Sequence, residues 1–179
     1  MRTLTLLRHA KSDWGNPALP DHDRPLNARG LRAAATMADY LGGGKGAAGR
    51  PDLILCSTAR RAVDTLAPLL GTWEDPPTVR YERDLYLCGP SALLLRLRQV
   101  PAQVGHVMVV AHNPDLHELS HGLAGSGDEA LRRSLARKLP TGSYVRIEVP
   151  TDDWASLDWS RGRLAAFVPP RSLGEEAGT

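Results

Sequence analysis

Four side chains in this sequence invite a chemical reading because of what stands next to them. His9 follows Arg8, and the guanidinium opposes protonation of the imidazole, which favours its neutral, nucleophilic form. Arg60 and Arg61 fall in the first turn of a predicted helix, where the macrodipole disfavours cations by roughly a few tenths of a kcal/mol. A bound anion there reverses the sign of that effect, and free backbone N–H groups beside a guanidinium make a phosphate site. His112 is a second imidazole at a strand end. Taken singly, each has a plain alternative as a solvated arginine or a structural histidine.

Three rival chemistries are written in the same chain. His117-Glu118-Leu119-Ser120-His121 is a literal His-Glu-x-x-His, the zinc-protease string. Leu116, Leu119 and Leu123 define the apolar stripe of that helix. At 100° per residue both histidines fall about 130–170° from its centre, which predicts two solvent-facing side chains. No downstream histidine offers a third ligand, and Ala124 stands where the extended motif requires glycine. Cys56 before a loop and Arg61 imitates a cysteine-dependent phosphatase. The spacing is Cys-x4-Arg in place of Cys-x5-Arg, and the loop has no glycine, so Cys56 is expected to be a buried structural thiol. A non-catalytic domain that binds phosphoproteins through the same pocket is the third rival.

The elements that must position these groups follow from periodicity. Residues 3–7, 52–56 and 106–111 are apolar runs of strand length, with a further short strand near 78–82. Helices are predicted from an Asn27 cap with Leu31, Ala34, Ala35, Ala38 and Leu41 inward. Others follow a Ser57 or Thr58 cap with Ala62, Val63, Leu66, Leu69 and Leu70 inward, Gly89-Pro90, and Asn113-Pro114, the last ending at Gly122 or Gly125. Residues 144–149 and 164–168 read as a closing pair of edge strands. Strand–helix alternation predicts an α/β fold with a largely parallel sheet. Arg8-His9, Ser57 to Arg61 and His112 then sit at the carboxyl ends of three strands, about fifty positions apart in sequence but on one edge of the sheet, where ligands bind.

Size and composition agree. The 179 residues, 42% apolar and 23% charged, fit one domain, taken as residues 1–171 with a frayed tail over 172–179. A flexible stretch is expected from Gly42 to Arg50. The net charge of +2 argues against a general nucleic-acid binder. Two cysteines imply no disulfide framework and a reduced compartment. The short apolar N-terminus is too brief for a signal peptide or a membrane span, so a cytoplasmic location is expected.

Arg8-His9-Ala10 resembles the Arg-His-Gly/Ala signature of the histidine phosphatase (phosphoglycerate mutase-like) superfamily. Ser57-Thr-Ala-Arg-Arg61-Ala62-Val-Asp-Thr65 resembles its Ser…Arg-Ala-x-x-Thr segment and selects Arg61 over Arg60. Val110-Ala-His112-Asn-Pro114 resembles its second-histidine segment. Lys11-Ser-Asp-Trp14, Asp21-His-Asp-Arg-Pro-Leu-Asn27-x-x-Gly30 and Leu139-Pro-Thr-Gly142 are similar to the small SixA-like branch, whose members act on phosphohistidine. Two positions depart from the pattern. Ala10 replaces glycine, and Gly15 stands near where mutase-like members carry a phosphate-touching asparagine.

The resemblance implies a three-layer, phosphoglycerate mutase-like sandwich and a phosphatase without metal or cofactor. His9 is then the nucleophile that forms a phosphohistidine intermediate, and Arg8, Arg61 and His112 hold the phosphoryl group. Asp84 is the first candidate for proton donor and Glu82 the second. Trp14, His22 and Arg24 of the 11–26 loop are candidates for selecting the substrate, a phosphorylated small molecule or a phosphohistidine protein. A poor alkoxide leaving group needs a positioned acid. A phosphoramidate leaves more easily, so an absent acid leans towards phosphohistidine.

Overall fold

The computed structural model describes residues 1–44 and 48–174. Seven strands form one sheet: β1 (Arg2–Arg8), β2 (Leu53–Ser57), β3 (Thr78–Glu82), β4 (His106–Ala111), β5 (Ala124–Gly127), β6 (Tyr144–Val149) and β7 (Gly162–Val168). Their order across the sheet is β3-β2-β4-β1-β6-β7-β5. β6 alone is antiparallel to its neighbours, β1 and β7. The helices are α1 (Ala28–Gly42), α2 (Arg60–Leu70), α3 (Pro90–Arg98), α4 (Asp115–Leu123) and α5 (Glu129–Arg137).

β2 and β4 are buried at every position, as expected of parallel strands covered on both faces. Alternate residues serve two cores. Leu53, Leu55, Val107 and Val109 pack with leucines of α3, α4 and α5. Ile54, Cys56, Met108 and Val110 pack with Met37, Leu41, Leu66 and Leu69 of α1 and α2. The result is helix–sheet–helix in three layers, each buried leucine contributing about 1.5–3 kcal/mol.

Several expectations are corrected. The 144–149 and 164–168 strands are interior, and the sheet edges are β3 and β5. β5 occupies Ala124-Gly-Ser-Gly127, a stretch whose glycines read as a helix stop. α5 escapes periodicity because Leu135 is its one fully buried residue; its cap is Asp128, whose side chain accepts from Leu131 N. The buried face of α1 is Gly30, Ala33, Ala34, Met37, Ala38 and Leu41, with Leu31 and Ala35 exposed. Asn27 caps α1 through Gly30 N at 2.7 Å, as predicted. α2 begins after Ala59, and neither Ser57 nor Thr58 caps it. Ser172 and Leu173 belong to a 3-10 turn, Pro170–Leu173, and Leu173 packs on the second core. Residues 175–179 of the expected tail, and 45–47 of the expected flexible stretch, lie outside the described residues.

Candidate active site

Register sets the site. β2, β4 and β1 are adjacent and parallel, with Cys56 beside Val110, and Arg8 beside Ala111. His9 and His112 each follow one residue past the Arg8–Ala111 pair, and His9 N donates to Ala111 O at 3.1 Å. Their rings lie 5.2 Å apart. The 11–26 loop closes over this edge through a Ser12–Leu26 bridge. Gly30 lets α1 start hard against its base, since a Cβ there would lie 2.1 Å from Lys11 O.

His9 is 7% exposed. Its Nδ1 lies 2.7 Å from Ala10 O. A carbonyl only accepts, so Nδ1 carries the proton and Nε2 keeps its lone pair. Burial, more than Arg8 or Arg61, lowers its pKa to about 4, and the ring is neutral near pH 7. Arg8 does oppose protonation, as expected, but desolvation outranks the cation.

His112 is 1% exposed, and its Nε2 lies 2.8 Å from Ser57 Oγ. That hydroxyl already accepts from Ala59 N at 3.2 Å. If its proton goes to His112 Nε2, the ring's own proton sits on Nδ1. Burial first, then His9 and Arg61, lower the His112 pKa to about 3. His112 Nδ1 and Arg8 Nε are buried and have no hydrogen-bond partner within the chain. Arg8 Nε is a donor in either case, and His112 Nδ1 is one in that tautomer, a costly state that an anion would relieve.

Arg60 and Arg61 part company. Arg60 pairs with Asp64 at 3.6 Å on the solvent side. Arg61, 6% exposed, turns inward. Its Nη1 donates to Asp21 O at 2.7 Å and its Nη2 to Asp21 Oδ2 at 2.9 Å. Burial and the facing Arg61 lower the Arg8 pKa from its usual value. Two guanidinium groups are held together against their repulsion. The matched motif residues brace them. Thr65 Oγ1 donates to Arg61 O and accepts from Ala10 N. Leu139 O accepts from Arg8 Nη1 and Asn113 Nδ2, both at 2.9 Å. Gly142, at φ +75°, donates its N–H to His9 O at 2.9 Å.

Arg8, His9 and Arg61 line a cleft of about 390 Å³ together with Lys11, Ser12, Trp14, Asp21, Leu87 and Thr141, and His112 is buried beside His9. Asp21 and Tyr86 are the polar residues that sequence reasoning passed over. The Asp21 carboxylate receives Arg61, Arg24 at 3.1 Å and the Tyr86 hydroxyl. Tyr86 first, with Arg61, holds Asp21 below the usual carboxylate range, so it is ionised. The Tyr86 ring stands edge-on to His112 and to His22. An acid beside two basic residues in the quoted loop motif was the available signal for Asp21; nothing in the sequence marked Tyr86.

Trp14 lines the cleft, with the Arg24 guanidinium 3.5 Å over its ring. His22 Nε2 bonds Thr58 Oγ1 at 2.8 Å. Neither proton-donor candidate reaches the cleft. Asp84 is exposed and lines a separate groove with Arg80 and Arg83, where Leu85, not Asp84, turns inward. Glu82 is held ionised by a two-pronged bond to Arg96 at 2.6 and 2.9 Å. Gly15 is exposed and its N–H goes to Asp13.

His117 is half-buried, not solvent-facing, because α5 covers it and Leu135 O takes its Nε2–H at 2.6 Å. His121 is exposed in another groove with Arg132 and Arg133. Among the described residues no group of three or more His, Cys, Asp or Glu is arranged to hold a metal. Cys56 is fully buried, and burial pushes its thiol up to about 12. No helix among the described residues is long and apolar enough to cross a membrane.

Fold and site together define an α/β protein with a cationic, two-histidine anion cleft at the carboxyl edge of a parallel sheet. Residues 4–85 match the family model of the histidine phosphatase superfamily (branch 1). An uncharacterized protein of Mycobacterium tuberculosis is 37% identical over 92% of this chain and 100% of its own length. Among solved structures, SixA from Nakamurella multipartitia is 31% identical with a TM-score of 0.77, covering 94% of this chain and 96% of that one. SixA from Agrobacterium tumefaciens is 28% identical with a TM-score of 0.76, covering 94% and 98%. The chain belongs to the histidine phosphatase superfamily, with the phosphoglycerate mutase-like fold.

Proposed function

We propose that the chain is a phosphatase that works through a phosphorylated His9 and acts on phosphohistidine. The observation that carries this reading is the pairing of an unprotonated His9 Nε2 with two inward guanidinium groups, in a cleft with no free carboxylic acid. His9 Nε2 attacks phosphorus in line, the bond to the leaving group breaks, and that group departs with its electron pair. Water then attacks phosphorus, inorganic phosphate leaves, and His9 is restored. Arg8 and Arg61 meet the equatorial oxygens, and His112 Nδ1–H donates a third bond.

The missing acid selects the substrate class. Asp21 is ionised and surrounded by donors, while Asp84 and Glu82 lie outside the cleft. An alkoxide therefore receives no proton from the protein, whereas an imidazole is protonated by solvent as it leaves. The SixA proteins of Nakamurella and Agrobacterium, provisionally described as phosphohistidine phosphatases, support the same class. Free Cys56 and Cys88 fit a cytoplasmic setting. The test compares kcat/KM for phosphohistidine and glycerol phosphate with wild type and His9→Ala. A preference for phosphohistidine above about a hundredfold is expected, abolished in His9→Ala. Equal turnover of the alkyl phosphate contradicts the proposal.

A further inference from the structure

The cleft is polar except at two residues, and both are unusually exposed for their type: Trp14 at 68% and Leu87 at 50%. Neither is loose. The Arg24 guanidinium covers one face of the Trp14 indole at 3.5 Å and leaves the other open. Arg24 is itself tied to Asp21 Oδ1 at 3.1 Å. Leu87 has φ +50°, a conformation that a leucine adopts only at a cost. It is carried there by Tyr86, whose hydroxyl bonds Asp21 Oδ2 and whose ring packs on His112.

One carboxylate thus joins three things: Trp14 through Arg24, Leu87 through Tyr86, and Arg61 directly. The two apolar groups are fixed relative to the phosphate-binding guanidinium. Strain held at such a position is characteristic of a surface that meets a ligand.

We infer that Trp14 and Leu87 form the subsite for the leaving group, and that this subsite takes a planar ring bonded directly to phosphorus. The inference rests on the phosphatase reading above. It goes further in naming the two residues and the shape they select. A cleft of about 390 Å³ has room for a phosphoryl group with a ring beside it. A saturated ring buries apolar surface but cannot stack.

The test uses the full chain and three phosphonates of equal charge: phenyl, cyclohexyl and methyl. Calorimetry should show phenylphosphonate binding about tenfold tighter than methylphosphonate. It should also beat cyclohexylphosphonate, although the saturated ring is the more hydrophobic. Trp14→Ala and Leu87→Gly should each erase most of the phenyl advantage and leave methylphosphonate affinity unchanged. Glycine suits φ +50°, so the melting temperature of Leu87→Gly should hold, which separates a lost contact from a lost fold. The subsite is overturned if wild type binds phenyl and methyl alike, or if Trp14→Ala keeps the full preference. If methylphosphonate itself fails to bind wild type, the phosphatase reading falls and takes the subsite with it.

Discussion

β4 has a histidine at each end, and the two are almost twins. His106 opens the strand and His112 follows it; they are 8% and 1% exposed. Burial lowers their pKa values to about 4 and about 3. Each places Nε2 against a hydroxyl, Thr5 at 3.0 Å and Ser57 at 2.8 Å, and each has a buried Nδ1; that of His112 has no partner within the chain, whereas the Arg50 backbone lies near enough to His106 to favour its protonated form. Their company differs. His106 has Asp52, whose carboxylate accepts from the His106 backbone N–H, and Arg146. His112 has His9, Arg61 and Arg8. Burial and a weakened hold on the proton are therefore not what makes a site. Converging cations at the carboxyl end of parallel strands are, and the amino end of the same strand lacks them.

The sharpest way to break that comparison is to remove each ring. His112→Ala should lower kcat/KM about 10²–10³-fold, as for loss of one donor to a developing charge, beside a fall in melting temperature like that of His106→Ala because Ser57 loses a buried partner. His106→Ala should leave kcat/KM within about threefold and lower the melting temperature by several degrees, because Thr5 loses a buried partner. Exchanged phenotypes would dissolve the distinction. Ser57→Ala should cost about tenfold in kcat/KM and alter the pH profile, since the His112 tautomer is no longer imposed. Ser57→Thr should restore most of both. A lost fold with an unmoved profile would make Ser57 merely structural.

A separate effect is on stability against pH. A histidine whose folded pKa lies below its unfolded value of about 6.5 binds fewer protons when folded. Stability contributed by the neutral ring is present above pH 6.5 and is lost as pH falls towards 4, the folded value for His106. Urea denaturation between pH 7 and 4 should show this loss. His106→Gln should flatten it by an amount on the order of 3 kcal/mol at most. An unchanged slope in the variant would refute the assignment.

The parts legible in the sequence are those where local pattern and chemistry coincide. The all-buried runs of β2 and β4 announce parallel strands, and their ends carry Ser57 and His112. Arg61 was separable from Arg60 only through the Ala62 and Thr65 spacing, which the Thr65 bonds to Ala10 N and Arg61 O now explain. α5 was invisible because one buried leucine makes no stripe, and β5 because glycines in an edge strand look like a turn. The hub at Asp21 depends on three donors from residues 24, 61 and 86, a convergence that no local spacing encodes. Asp84 and Glu82, the expected proton donors, lie outside the cleft for a related reason. The chain turns Leu85 into the core and brings Leu87 to the cleft, with Tyr86 reaching Asp21.

The central claim is tested most directly by quenching the enzyme during turnover of an activated aryl phosphate and locating phosphate on the chain by mass spectrometry. An acid-labile, base-stable phosphoryl group on His9, absent in His9→Ala, is the predicted result. Phosphate on any other side chain, or undiminished turnover by His9→Ala, would contradict the account.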